Sequence, residues 1–304
     1  MATHVKTTDI VRIKESVSDF ISLIDPTDTP FLSSVGSEKI KSTKHEWLED
    51  TLREVADNAK AEGHTYVETE RDQPQFVENY TQILSETFRV SGTADAVDAF
   101  GRKTETARET MKTGKLLKMD FEHGLVGTAQ EGVPRTTGTT VSKFKSVQAL
   151  ISPDTTLDIT SPNATPSVLT EDDIVDAHEL LYNAGSDAEI LMVRPSLTKV
   201  ISNFVEKSAR TMELGNDSKS LTHVISVYTS SFGTLKVVKN RRIRASDALL
   251  YTPSNWKILI LRDWFREKLA KLSDSEAWAM TGEFSLKHVN RKSSAIIKGI
   301  GLTT

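Results

Sequence analysis

The side chains able to do chemistry are scattered along this chain, and no spacing among them builds a catalytic site. The chain has 304 residues and no cysteine, which excludes disulfides, thiolate metal sites and a cysteine nucleophile. Its seven histidines fall on no single element at metal-ligand spacing. There is no Walker loop to cradle phosphates, no glycine-rich dinucleotide fingerprint, no Gly-x-Ser-x-Gly elbow and no His-Glu-x-x-His helix. His178 lies beside an apolar helical stripe with no partner in its own motif, so it reads as a packed or surface histidine before a ligand or base. Glu171-Asp172-Asp173 has the charge to hold a divalent ion, but acids in a first helical turn are accounted for by the macrodipole. The expectation is a chain without catalytic residues, metal or cofactor.

Lys236, Lys239, Arg241, Arg242 and Arg244 form the densest basic cluster. Two readings stay open. One is contact with nucleic acid or with an acidic patch on a neighbour. The other is a solvated strand edge whose charges discourage edge-to-edge pairing. The net charge of -4 argues against a protein whose main task is gripping DNA phosphates, without forbidding contact with packed DNA on one face. Residues 1–6 lead into no apolar run of the kind a signal peptide needs. The glycosylation-like triplets at Asn79 and Asn216 are therefore expected to be chance matches. No run of about 18 apolar residues offers a membrane span.

The elements that must position these groups follow from periodicity. Ile10, Ile13, Val17, Phe20, Ile21 and Ile24 make one helical stripe, and Asp25-Pro26 stops it. That stripe has little to bury within one chain, which makes Phe20 and Ile21 candidate contacts to another subunit. Pro26 to Leu32 reads as an ordered turn with an apolar plug at Phe31, a further candidate contact. His45-Glu46-Trp47-Leu48 reads as a short strand and residues 80–92 as a longer one. A polar segment joins them, so they are expected to form an extended hairpin arm. A two-stranded ribbon is marginal in water and needs a neighbour, which points to Trp47, Lys60, Tyr66 and Arg71 as contact candidates.

Residues 96–131 read as the strongest helix, about 54 Å long if continuous at about 1.5 Å per residue, with Ala107, Met111, Gly114, Leu117, Phe121 and Leu125 on one face. Thr170 with Asp173 starts another helix, buried along Ile174, Ala177, Leu181 and Ala184 and ended by Gly185. Strands are expected at 189–193, 224–229, 234–238, 247–251, 256–261, 284–289 and 295–300, and a helix opens at Pro195. Residues 209–222 read as a polar loop. Trp47, Trp256, Trp264 and Trp278 are expected in a core or an interface. Helix, arm, long helix, α/β unit and then strands make an α+β chain with a discontinuous second domain.

Several segments together resemble a known family. Ser22-Leu23-Ile24-Asp25-Pro26-Thr27-Asp28-Thr29-Pro30-Phe31-Leu32 is similar to the start of many tailed-phage major capsid proteins. His45-Glu46-Trp47, Asn79-Tyr80-Thr81-Gln82-Ile83 and Arg89-Val90-Ser91-Gly92-Thr93-Ala94 follow in order, then Tyr228-Thr229-Ser230-Ser231-Phe232-Gly233-Thr234 and Asn255-Trp256-Lys257. The resemblance is to major capsid proteins like that of phage SU-ten, within the tailed-phage capsid (Johnson) fold. It implies an N-terminal arm at 1–44, an extended E-loop hairpin at 45–92, a P-domain at 93–166 and 243–304 with a long spine helix, and an A-domain at 167–242. It also implies a virion protein, assembled in the host bacterial cytoplasm as pentamers and hexamers into an icosahedral head around double-stranded DNA. An encapsulin-like compartment of the same fold is the alternative. The expected partners are other copies of the chain, a portal, decoration proteins and a separate scaffolding protein, because the arm is too short to include a scaffolding segment. No membrane is involved. Some relatives crosslink an arm lysine to a neighbouring asparagine; Lys60 is the residue in that place, and an ordinary surface lysine is the simpler expectation.

Overall fold

The apolar plug at Phe31 heads a short helix, α1 (Pro30–Ser34), which starts on proline because the first helical N–H needs no partner inside the helix. Phe31 is 0% exposed, and its ring lies 5.4 Å from that of Tyr251 and 5.8 Å from that of Trp256. The computed structural model describes residues 28–53, 55–66, 68, 71, 73–97, 104–136, 140–160, 166–208, 227–271 and 273–301. The stripe Ile10 to Ile24, with Phe20 and Ile21, and the loop at 209–222 lie outside them.

Four strands follow: β1 (Gly36–Lys39), β2 (Lys44–Glu49), β3 (Gln75–Tyr80) and β4 (Gln82–Ser91). Here the expected hairpin is corrected. The antiparallel partner of β2 is β3, with Trp47 opposite Val77 and Leu48 opposite Phe76. The strand at 82–91 belongs to a different sheet. Alternation explains the pairing, since Trp47 and Val77 are buried while Leu48 and Phe76 point to solvent.

The long helix is shorter than expected. After α2 (Gly92–Ala96), α3 runs Glu105–Val126, 22 residues or about 33 Å at the usual rise. Leu117, Phe121 and Leu125 are buried as the stripe requires, but Met111 is 67% exposed. At Gly127 any Cβ would collide with His123 and with the Arg242 carbonyl, so the chain can leave the helix there only as glycine.

The rest of the chain forms α4 (Val147–Leu150), β5 (Thr156–Asp158), α5 (Glu171–Asn183), β6 (Ile190–Val193), α6 (Pro195–Ser208), β7 (Val227–Thr229), β8 (Thr234–Lys239), β9 (Ala248–Tyr251), β10 (Trp256–Lys268), β11 (Ser275–His288) and β12 (Ala295–Lys298). Helix α5 begins with the expected capping box, in which Thr170 and Asp173 each bond the other's backbone N–H. It ends at Gly185, φ +77°, where Gly185 N–H donates to the Tyr182 carbonyl and Ser186 N–H to that of Leu181, the pattern of a Schellman cap.

Six strands form one sheet in the order β5-β12-β9-β6-β8-β7. Both faces are buried, and the period of two separates them. Ile190, Met192, Leu249, Tyr251 and Ile296 enter one core with Phe31, Phe121 and Trp256. Leu191, Val193, Leu235, Leu250, Ala295 and Ile297 enter a second with Ile174, Leu181 and Ile201. Two-sided burial is why β6, β9 and β12 read as unbroken apolar runs. Because β9 pairs antiparallel with β6 and with β12, this sheet crosses the boundary expected at 242/243.

A second sheet has the order β1-β10-β11-β4. Its central strands are far longer than the expected 256–261 and 284–289. Past Leu261 the strand is mostly exposed and mixes Trp264 and Phe265 with charged residues, which gives no buried-strand signal. The chain divides into two compact units. The larger comprises 28–85, 117–265 and 281–304 and holds both cores; the described part of the smaller comprises 86–116 and 266–280. Within the smaller unit, Arg108 Nη1 donates to Glu105 at 2.6 Å and the Arg266 guanidinium lies 4.2 Å from the Trp278 ring centroid.

In the larger unit Trp256 stacks on His288 at 3.8 Å and 7° and donates from Nε1 to Ser294 Oγ at 3.0 Å. Burial pushes the His288 imidazole down to about 3, from an ordinary 6.5. A lowered histidine contributes stability that is complete above its unfolded pKa and is lost as pH falls toward the folded value. Between pH 7 and pH 5 this residue is therefore expected to cost about 2 kcal/mol. The readout is the urea-unfolding free energy of the subunit relative to His288→Phe. A difference between the two proteins that stays constant over that range would refute the assignment.

Candidate assembly interface

Between β2 and β3 the described residues form neither helix nor strand, and all of them are exposed. Leu52 and Val55 are 98% and 102% exposed, Tyr66 is 92% exposed, and Leu48 and Phe76 stand in solvent where this segment leaves the stem. Burying a side chain of the Leu or Val type is worth about 1.5–3 kcal/mol. A segment that displays several such side chains in water leaves that energy unused unless another surface covers them. Lys60 and Arg71 lie on the same exposed segment.

The stem is held rigidly by polar contacts that the sequence patterns gave no sign of. Asn79 is 0% exposed, and its Nδ2 donates to the carbonyls of Leu286 at 2.6 Å and Lys145 at 3.3 Å. Its Oδ1 accepts from Lys145 N–H at 2.6 Å. Asn79 is thus a buried structural amide and not an exposed glycosylation acceptor. Two residues on, the Thr81 hydroxyl donates to Glu283 at 2.7 Å, and Arg135 and Arg262 donate to the same carboxylate at 2.7 and 2.9 Å. Burial pushes Glu283 up, but the hydroxyl and the two guanidiniums outweigh it and hold the carboxyl below its ordinary range.

On the opposite strand, Glu49 accepts from Arg291 Nε at 2.7 Å and from Arg291 N–H at 3.1 Å. These two residues line a cleft of about 770 Å³ with Leu48, Gln75, Asp154 and Lys292. Lys292 pairs with Asp154 at 2.9 Å and lowers its pKa. Arg291 and Lys292 are each spent on a carboxylate, so this cleft is not an anion site.

Two of the candidate contact residues lie inside the chain. Phe31 and Trp47 belong to the chain's own core, at 0% and 8% exposure, and their side chains are covered before any neighbour arrives. The physical reason is the same for both: each lies on the inward face of its element. Lys60, Tyr66 and Arg71 remain on the surface.

Lys236, Lys239, Arg241 and Arg244 are exposed and Arg242 is half-buried. Strand β8 lies between β6 and β7, and among the described residues β7 pairs with it from Thr234 to Lys236. Edge protection therefore does not account for Lys236.

His178 has partners that its own motif does not contain. One ring nitrogen meets Ser230 Oγ at 2.9 Å and the other meets Asp187 Oδ1 at 2.7 Å. The residue types are those of a hydrolase triad. However, Ser230 Oγ also donates to the Gly233 carbonyl at 3.2 Å and accepts from Phe232 N–H at 3.2 Å. That hydroxyl shapes a turn, and the histidine ties α5 to it. Asp173 is likewise spent on its capping box. Among the described residues no group of three or more His, Asp or Glu could hold a metal ion.

Comparison with known proteins places this architecture. The family model described as SU10 major capsid protein matches residues 2–301. The major capsid protein of Escherichia phage Phieco32 is 28% identical over 93% of this chain and 93% of its own length. Among solved structures, the capsid of cyanophage P-SCSP1u superposes with a TM-score of 0.64 at 10% identity, covering 93% of this chain and 92% of that one. An encapsulin complex of Synechococcus elongatus superposes with a TM-score of 0.59 at 9% identity, covering 93% of this chain and 94% of that one. At such identities the structural likeness shows the fold alone.

Proposed function

The chain belongs to the SU10 major capsid protein family, and from that premise we propose that it builds the phage head as pentamers and hexamers around double-stranded DNA, without catalysis. It is a phage major capsid protein and a virion component. The observation that carries the finer reading is the stretch between β2 and β3, an E-loop with Leu52, Val55 and Tyr66 standing in solvent. In a shell this segment lies across a neighbouring subunit, and many modest contacts add up through avidity. The basic residues Lys236, Lys239, Arg241 and Arg244 suit a weak, sequence-independent contact with packed DNA.

Assembly proceeds in the host cytoplasm with a separate scaffolding protein, a portal and, on some shells, decoration proteins. Negative-stain electron microscopy of the protein expressed with and without its scaffold tests this. Closed shells that need the scaffold, or five- and six-membered rings, support it. Correctly sized shells from the chain alone contradict the scaffold, and a discrete monomer under every condition contradicts the whole reading. An encapsulin-like shell would carry protein cargo where this reading expects nucleic acid.

Lys60 is treated as an ordinary surface lysine. Denaturing electrophoresis of mature particles is expected to give one band at the 33.7 kDa of the monomer. A ladder of higher bands would restore the crosslink.

A further inference from the structure

The N-terminal half of α3, in the smaller unit, leaves one helical face uncovered. Its other side is occupied by its own subunit. Thr110 Oγ1 accepts from the Arg266 guanidinium at 3.1 Å, and a Cβ added at Gly114 would lie 3.7 Å from Met280 Sδ, so this side faces β10 and β11. Met111, Lys112, Lys115 and Leu116 adjoin one another on the helix surface through steps of three and four. All four are exposed, Met111 by 67% and Leu116 by 42%. Periodicity puts Met111 in the apolar stripe of α3, yet the buried part of that stripe begins only at Leu117. Charge on the uncovered face is one-sided. Arg108 is spent on Glu105 and Glu109 at 2.6 and 3.1 Å, whereas Lys112 and Lys115 stand in solvent.

The E-loop has the opposite character. Between Asp50 and Gln73 the sequence holds seven acidic residues and three basic ones. Asp50, Asp57, Glu62 and Glu68 are exposed there, and so are Leu52 and Val55. One surface thus presents apolar side chains among cations, and the other presents apolar side chains among carboxylates.

We propose that the E-loop of one subunit docks on this face of α3 in a second copy of the chain, with its carboxylates opposite Lys112 and Lys115 and with Leu52 and Val55 covering Met111 and Leu116. The inference rests on the reading of the chain as a shell protein and adds where on the neighbour the segment lands. Charge selects the partner surface and sets the register, and burial of the apolar side chains supplies affinity. Packed DNA would also attract the lysines, but its backbone offers phosphates and would leave Met111 and Leu116 in water.

The chain contains no cysteine, so an introduced pair is the only reactive one. The test uses shells assembled with scaffold from the full-length chain carrying Leu52→Cys and Met111→Cys. A short bis-maleimide is expected to link most subunits into a ladder on denaturing electrophoresis. Leu52→Cys with Val168→Cys, a position 46% exposed on the larger unit, is expected to stay monomeric. Shells that give no ladder with the first pair, or an equal ladder with both, overturn the docking site and leave the shell reading intact. Failure of the wild-type chain and scaffold to form any shell removes that reading and the docking with it. A Met111→Cys thiol shielded from maleimide in DNA-filled heads but not in empty shells assigns the face to nucleic acid and overturns the proposal. If the cysteine pair does not assemble, charge exchange decides. Lys112→Glu with Lys115→Glu sets like charges against the E-loop and is expected to cut shell yield about tenfold or more. Asp57→Lys with Glu62→Lys in the same chain is expected to restore it. No loss, or a loss without restoration, overturns the proposal.

Discussion

Replacing residues 51–73 by a short glycine-containing turn is expected to abolish shell formation while leaving a folded subunit. The fold is expected to survive because the stem is held by contacts that lie outside the segment. Strands β2 and β3 pair from Lys44 opposite Tyr80 to Glu49 opposite Gln75, Asn79 clamps one strand and the Glu49–Arg291 contacts clamp the other. Shortening a flexible loop changes its closure entropy by only about 0.6 kcal/mol per halving. Assembly fails because the segment carries Leu52 and Val55, whose burial on a neighbour would supply about 3–6 kcal/mol per contact. Losing that much lowers each pairwise association at least about a hundredfold, and a closed shell repeats the loss at every subunit. The double substitution Leu52→Glu with Val55→Glu is expected to act the same way without any change of length. Sedimentation and electron microscopy read assembly, and urea unfolding reads the subunit. Shells in normal yield from the shortened chain would remove the segment from the account.

The largest expected effect on stability is at Glu122, which no local pattern singles out. It is 0% exposed on α3. Its carboxylate accepts from Phe31 N–H at 2.9 Å, Leu32 N–H at 2.8 Å and Asn240 Nδ2 at 2.6 Å. Burial pushes its pKa above the ordinary carboxylate value, while the three donors pull the other way. One side chain thus caps α1, places the Phe31 plug and fixes the turn after β8. Glu122→Ala strands three donors, two of them buried, and its expected cost is about 3–5 kcal/mol, in the range for breaking a buried charged network. Glu122→Gln keeps the volume and one acceptor oxygen, so it should cost less, about 2–3 kcal/mol. A loss under about 1 kcal/mol for the alanine variant would show that α1 is held mainly by Phe31 packing.

Much of the fold was legible where a single period dominates. The helix from Glu171, with its box at Thr170 and its stop at Gly185, could be read because caps and stripe agree. The apolar runs of β6 and β9 were equally plain, since a sheet buried on both faces leaves no polar alternation to confuse the pattern. The long strands β10 and β11 were only half visible. Their outer parts carry Arg262, Arg266 and Lys268 on exposed backbone, and composition cannot distinguish such a strand from a loop. Pairing was harder still. The ribbon at 44–49 was given the wrong partner because Glu78 and Asn79 interrupt the apolar signal of β3, although Asn79 is buried for a polar reason.

The same limit governs the interface. Exposure of Tyr66 and Lys60 follows from a polar segment, whereas a large aromatic such as Phe31 or Trp47 fits a core and an interface equally well. Only the register, with Trp47 opposite Val77 on the covered face, separates the two. Partners far apart in sequence, such as Asp187 and Ser230 on His178, leave no local trace at all.

In a cryo-electron microscopy reconstruction of the assembled shell, residues 50–74 are expected to lie across the adjacent subunit with Leu52 and Val55 covered by it, while Phe31 and Trp47 stay inside their own subunit. A shell in which Leu52 and Val55 still face solvent, with subunits joined through other surfaces, would contradict that arrangement.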